Sequence, residues 1–408
     1  MSIAAADDDI QLSVVATSRN DDHGGNLTRR TQQFIDGLIA QCKRHGLRAE
    51  LILVEWNPPP ERAPLADELR WPVEPGACDI RIVTVPAEVH RTFQHADRIR
   101  LFQMLAKNAG IRRARGRFVL ATNIDILFSD EAVRFLRDRL QSGHLYLADR
   151  VDVPAEVPAT PAFDDVLQFC EEQAFRVNTG ALAVERGTGR WRLRDRFKAA
   201  MGARGSYVAD IAGHYGMLFA QTLANPRWAF RRLIGHGLAA AGPRTRHRPL
   251  ALVLAGGAWE IARRTARGIL GSAQQLVMPF TNACGDFTVM SRLDWSRVRG
   301  YAEWHVFSWH LDTLLVYQAQ GCGIRPRRLA PKSRVFHIDH SGGYAPEHAA
   351  GLFERLEKQK IPFITDADLK RLHADISAKQ RAGRDVQFNE DGWGLAALQL
   401  PETRPGAT

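Results

Sequence analysis

Apolar runs and helical spacings alternate along the first 145 residues. LSVVAT (12–17) has almost no polar break, the pattern of a strand buried on both faces. A polar turn, SRNDDHGGN, follows it, and a helical stretch runs from about Thr28 to Arg44. AELILVEW (49–56) reads as the second strand, cut off by Pro58-Pro59-Pro60, and DIRIVTVP (79–86) as the third. From Phe93 to Ile111 the residues Ile99, Phe102, Leu105, Ala106 and Ala109 recur at helical spacing. GRFVLAT (116–122) is the fourth strand, and Ser129-Asp130-Glu131 opens a helix with a capping serine and an acidic first turn. This alternation predicts an α/β fold with a doubly wound, mostly parallel sheet.

The rhythm is weaker from 150 to 280. LYLADRVDVP reads as one more strand and FRVNTGALAVERGTGRW as a hairpin. The apolar run at 250–259 is too short to cross a membrane, which takes about 20 residues. Farther on, FTVMS reads as a short strand, and Leu311, Leu314, Leu315 and Ala319 form one apolar helix face. The tail after about Asp385 reads as loosely ordered.

In doubly wound sheets, ligands bind beyond the carboxyl ends of the strands. Ser18-Arg19-Asn20, Glu55 and the pair Asn123/Asp125 all fall there. Asn123 and Asp125 would share one face of a strand end, and two such oxygen ligands suit a divalent cation as well as a polar turn. In the C-terminal half, Gly285-Asp286 precedes FTVMS, and His310 and Asp312 open a helix. A carboxylate there could simply complement the helix dipole. HIDH would put His337 and Asp339 on one strand face, and two histidines with an aspartate in four residues make a metal candidate.

Composition narrows the classes. Hydrophobic content of 45% and charged content of 25% are those of an ordinary soluble protein. The N-terminal MSIAAADDDI is acidic where a signal or transit segment is basic, so neither is expected. Five scattered cysteines without a C-x-x-C argue for reduced thiols in a cytosol-like compartment, without structural zinc. Net charge is +10, and between Arg227 and Arg267 nine arginines stand against one acidic residue, Glu260. That stretch points to an anionic partner, either through an arginine-faced amphipathic helix on a membrane or as a solvated basic insertion. Neither G-x-G-x-x-G after the first strand, nor G-x-x-x-x-G-K-[ST], nor G-x-S-x-G occurs, which removes the usual phosphate cradles and the serine elbow.

The order of parts resembles the GT-A nucleotide-sugar glycosyltransferases, in particular family-2-like enzymes. KNAGIRRARGRFVLATNID is similar to the helix and strand that lead into the family's D-x-D-type motif. GDF, followed by SR, W, RGY, E and HLD, resembles its acceptor strand and catalytic helix start, and HIDHSGGY its terminal histidine segment. The resemblance covers roughly 10–145 and 280–345. Two departures stand out: Asn123 replaces the first acidic ligand, and His310-Leu311-Asp312 occupies the place where the family often has Glu-Asp.

The resemblance implies a nucleotide-sugar-binding half at 10–150 and an insertion with the basic stretch at 151–280. It further implies an acceptor and catalytic half of the same domain at 281–345, then a helical extension and tail at 346–408. It implies transfer of a sugar from a nucleotide-diphosphate donor to a glycan or lipid-linked acceptor, with inversion. Thr17, Arg19, Asn20, Glu55, Lys107, Asn108, Asn123 and Asp125 would line the donor, Asp286 would hold the acceptor, and Asp312 would be the base. Asp125 and His337 would hold a divalent metal, manganese or magnesium. No nucleic acid is expected. The expected location is cytoplasmic, with 227–267 available to the inner membrane face. A nucleotidyltransferase, a metallo-hydrolase built on HIDH, and a non-catalytic nucleotide- or polyanion-binding protein are the other readings.

Overall fold

The computed structural model describes residues 10–72, 76–160, 162–179, 183–185, 281–340 and 349–406. The arginine-rich stretch 227–267 lies outside them.

The first strand, β1 (Leu12–Ser18), is buried at every position and lies at the centre of an eight-stranded sheet. β2 (Ala49–Trp56) and β4 (Phe118–Thr122) flank it in parallel, and β3 (Cys78–Val85) continues the parallel set beyond β2. Outside β4 comes the antiparallel β10 (Phe287–Ser291), then β6 (His144–Leu147), then β11 (Arg325–Arg328) parallel to β6. The chain therefore steps outward from β1 through β2 and β3, then returns to the other side of β1 for β4. Such a reversal opens a crevice at the strands' carboxyl ends. The doubly wound, mostly parallel α/β sheet expected from the alternation is present.

A second sheet of five strands has the order β5 (Ile126–Phe128), β12 (Val335–Ile338), β7 (Arg150–Val153), β8 (Arg176–Asn178) and β9 (Ala183–Glu185). β12 runs antiparallel to β5 and parallel to β7, and β8 and β9 form the expected hairpin.

Helix α1 (Leu27–His45) packs Phe34, Ile35 and Leu38 against Leu12, Val14, Leu51 and Leu53 of the large sheet. It ends at Gly46 in the left-handed region (φ 62°), whose N–H donates to Cys42 O. α3 (Asp130–Asp138) starts as its sequence indicates, with Ser129 accepting from the Ala132 N–H. α4 (Phe163–Gln173) covers the second sheet through Phe163, Val166 and Cys170. The two glutamates of β2 are both buried. Glu50 accepts from Ser13 Oγ at 2.6 Å, Arg81 Nη2 at 2.9 Å and Arg115 Nε at 2.9 Å. Burial pushes its carboxyl up, but those partners outweigh the push and hold it below the usual range.

Three expectations change. The helix expected from Phe93 is confined to α2 (Gln103–Arg112). Residues 91–101 make irregular turns that bring Phe93 against Trp56 (ring centroids 5.7 Å) and Phe102. LYLADRVDVP is two strands in two sheets, broken at Ala148-Asp149, because β6 pairs with β10 and β7 with β12. The tail is ordered. Helix α5 (Leu311–Gly321) carries α6 (Asp366–Arg381) on it through Tyr317 and His373. Beyond that, Trp393 lies under the Arg112 guanidinium, and β13 (Glu402–Thr403) pairs with Ile82 and Val83 of β3. All five cysteines are buried and unpaired. Among the described residues no helix is long and apolar enough to cross a membrane.

Candidate functional site

A cleft of about 1580 Å³ lies at the β1/β4 reversal. Thr17 and Arg19 enter it from β1, Asn123 and Asp125 from the end of β4, and Asp286, Asp312 and His337 from the C-terminal half. Residues distant in sequence thus meet at the carboxyl edge of one sheet.

β4 stops at Thr122, so Asn123-Ile124-Asp125 is a turn leading into β5 rather than the end of a strand. The two side chains consequently take different partners. Asn123 Nδ2 donates to Asp286 Oδ1 at 2.7 Å, and its Oδ1 accepts from Gln103 Nε2 at 3.0 Å. Asp125 meets Arg30 Nη1 at 2.9 Å and His340 Nε2 at 3.2 Å through Oδ2, with His337 Nε2 at 3.9 Å. Among the described residues its Oδ1 has no hydrogen-bond partner, although it is buried. Burial pushes this carboxyl up, yet the His340 hydrogen bond and the charges of His337, His340 and Arg30 outweigh it and leave the group well below the carboxylate range.

One ligand atom from each of Asp125, His337 and His340 lies within 4.8 Å of the others. HIDH had pointed to His337 with Asp339. The strand ends at Ile338, however, so Asp339 faces solvent and His340 turns back to the cluster. The orphaned Oδ1 and the mixed carboxylate–imidazole set fit a borderline divalent cation.

Behind His337 stand Asp152 and Arg150, which are not among the expected site residues. His337 Nδ1 is 3.1 Å from Asp152 Oδ1, which orients the imidazole so that Nε2 faces Asp125. Asp152 also accepts from Asn178 Nδ2 at 2.8 Å and pairs with Arg150 Nε at 2.9 Å. Arg150 Nη1 reaches Asp286 Oδ2 at 3.0 Å, so one polar chain joins Asn123, Asp286, Arg150, Asp152 and His337. Burial lowers the His337 imidazole, but the Asp152 hydrogen bond and the Asp125 charge outweigh it, and the net shift is upward. The signal for Arg150 and Asp152 was present in RVDV, two opposite charges two apart in an apolar strand. Arg30, on a helix, gave no signal.

Asp312 sits in the first turn of α5, half-buried at the cleft wall, and its Oδ1 accepts from the Thr313 N–H at 2.8 Å. Burial raises its pKa, with the Thr313 N–H, Cys284 and the charges of His310 and Lys107 pulling the other way. Gly285 makes the close approach possible: a Cβ there would lie 2.7 Å from Asp312 Oδ2.

Four of the expected donor contacts lie behind the cleft surface. Asn20 donates to Ala63 O and Glu68 Oε2, and Glu55 accepts from the Leu65 N–H at 2.8 Å. Asn108 clamps Tyr301 through its N–H and its carbonyl and also donates to Glu303. Lys107 is wholly buried, with Nζ on Gly285 O at 2.9 Å. Thr17, Arg19, Asn123 and Asp125 are at the surface of the cleft.

No protein-family description matches the chain, and no curated protein matches it. Among solved structures it is similar to residues 1–349 of S. aureus TarS in complex with UDP. Identity there is 10% and the TM-score 0.35, over 91% of this chain and 72% of that one. It is also similar to GalNAc-T7 with UDP, GalNAc and Mn2+, at 11% identity and TM-score 0.36, over 90% of this chain and 55% of that one.

Proposed function

We propose that the chain transfers a sugar from a nucleoside-diphosphate donor to an acceptor hydroxyl, with inversion at the anomeric carbon. The observation that carries this is the pairing, in one cleft, of an Asp–His–His cluster holding an unpartnered buried oxygen with a separate carboxyl of raised pKa. Asp125, His337 and His340 would hold a divalent cation, manganese or magnesium. When bound, such an ion is a Lewis acid that neutralises charge on a departing diphosphate. Thr17 and Arg19 would meet the nucleotide at the β1 end, with Asn123 alongside. Asp286, held by Asn123 and Arg150, would accept a hydrogen bond from the acceptor. Asp312 would take the hydroxyl proton, a role suited to a carboxyl whose pKa has moved toward neutrality. One base and direct attack fit a single displacement, hence inversion.

A glycan or lipid-linked acceptor fits the open cleft, and the arginine-rich stretch 227–267 suits an anionic membrane surface. Five unpaired cysteines fit a reducing, cytoplasmic compartment. A second reading comes from Arg30, whose guanidinium already neutralises Asp125 at 2.9 Å. It is a metal-free nucleotide site in which Arg30 meets the phosphates directly.

The test is turnover of UDP- and GDP-sugars, with and without manganese. Slow donor hydrolysis that manganese accelerates is the expected result. Nucleotide binding indifferent to manganese would favour the Arg30 reading, and no nucleotide binding at all would sink both.

A further inference from the structure

Three successive carbonyls of the turn Cys284–Asp286 are each held by a side chain. Thr288 Oγ1 donates to Cys284 O at 2.7 Å, Lys107 Nζ to Gly285 O at 2.9 Å, and Thr122 Oγ1 to Asp286 O at 2.7 Å. Of the three donors only Lys107 is charged, and its side chain is wholly buried on α2. A buried ammonium is costly unless opposite charge surrounds it. Asp286, Asp312 and Asp125 all face it, together with the Cys284 thiol. The turn it holds carries Asp286, and Gly285 of the same turn packs against Asp312 Oδ2.

We propose that Lys107 is a positioning residue: it fixes the turn against which Asp286 and Asp312 are set, and its ammonium is a counter-charge to Asp312, Asp286 being already paired with Arg150 at 3.0 Å. This role rests on the transfer reading given above. Burial draws Lys107 down to about 8, so it still carries most of its charge at neutral pH. Among the described residues, Lys107, His310 and Cys284 face Asp312, with the Tyr301 phenol near it. Among them Lys107 and His310 are the cationic influences, and His310 Nε2 is already paired with Asp366 Oδ1 at 2.8 Å.

Lys107→Met removes both charge and donor at similar length, and Lys107→Gln keeps a donor without the charge. Lys107→Met should lower kcat about 10- to 100-fold, the scale of a misplaced catalytic group, with donor KM within about twofold. It should also move the acid limb of the pH–rate profile upward, and Lys107→Gln should restore part of kcat but not the limb. A raised donor KM with normal kcat would overturn the proposal, because Lys107 would then be a donor contact. A lower Tm with normal kcat in the folded fraction would overturn it as well. Carboxyl NMR titration of Asp312 without substrate separates this from the transfer reading. If Asp312 titrates higher in Lys107→Met, the coupling stands even should the chain transfer no sugar. An unmoved titration refutes it whatever the activity, and Lys107→Gln carries the same titration if the Met variant does not fold.

Discussion

His337 and Asp152 occupy directly paired positions of adjacent parallel strands, with Nδ1 3.1 Å from Oδ1. The imidazole is thereby aimed before any ligand arrives. Asp152→Asn should weaken manganese binding about 10- to 100-fold, as loss of a partner behind a histidine ligand does, while every ligand remains. Calorimetry with manganese and UDP, read beside the melting temperature, tests this. Unchanged manganese affinity in a folded variant would mean that Asp152 serves only the strand pairing.

Asp125 joins the candidate cation site to the buried guanidinium of Arg30. Asp125→Ala should abolish manganese-enhanced UDP or GDP binding. It should also destabilise the fold by about 3–5 kcal/mol, because Arg30 is left as a buried unpaired charge. Adding Arg30→Met should recover much of the stability and none of the manganese effect. Chemical denaturation of the two variants decides between these parts.

Asp312 gives opposite signs for catalysis and stability. As base it contributes about 10²–10⁴-fold, so Asp312→Asn should cost roughly 3–5 kcal/mol of barrier with donor affinity nearly unchanged. The folded-state pKa is raised, chiefly by burial, so the favourable contribution of the protonated form is complete below the ordinary carboxylate range. It is lost as pH rises through the raised pKa. At pH 7 the ionised group therefore disfavours folding, and Asp312→Asn should raise Tm, by an amount that shrinks as pH falls. A Tm loss at pH 7 with transfer intact would make Asp312 a helix-start residue alone.

Gly285→Ala keeps every charge but sets a Cβ 2.7 Å from Asp312 Oδ2. The carboxylate must move, so kcat should fall by up to about 100-fold while UDP binding persists. Normal kcat would show that the exact seat of Asp312 is unimportant.

For the arginine-rich stretch 227–267, binding to acidic liposomes should weaken steeply with salt, since exposed charges are screened over about 8 Å at physiological ionic strength. Deleting the stretch should remove the binding. Equal partitioning onto neutral liposomes, or none to acidic ones, would count against it.

The centre of the sheet was legible because β1 and β4 are almost unbroken apolar runs and the turns beside them are polar. β2 was read to the residue. Ser129 was legible because a cap depends only on its immediate neighbours. The cleft was legible in part: Asp125, His337 and Asp312 interrupt apolar patterns near element ends. Arg30 was not, because an arginine on an amphipathic helix looks solvated until the strand it meets is known. Asn20, Glu55 and Asn108 drew attention as polar residues near the right places, but they satisfy backbone groups of neighbouring segments. Whether a polar side chain faces a cleft or the chain behind it depends on long-range contacts that no local pattern encodes. The same limit hid the break in LYLADRVDVP, where only the pairing partners distinguish one strand from two.

The antiparallel β10 has a consequence for assembly. It lies between β4 and β6, pairing Phe287 with Thr122 and Thr288 with Leu147. Until residues 287–291 arrive, β4 presents an open row of amides and carbonyls in the middle of what will be the sheet, and β6 has no bridge to it. Contacts so far apart in sequence close slowly, because the intervening loop entropy is lost before they form. A fragment ending near residue 150 would expose that edge and should associate rather than fold alone. Residues 287–291 thus complete the sheet begun by residues 12–122, and a fragment that lacks either segment should not fold as a module.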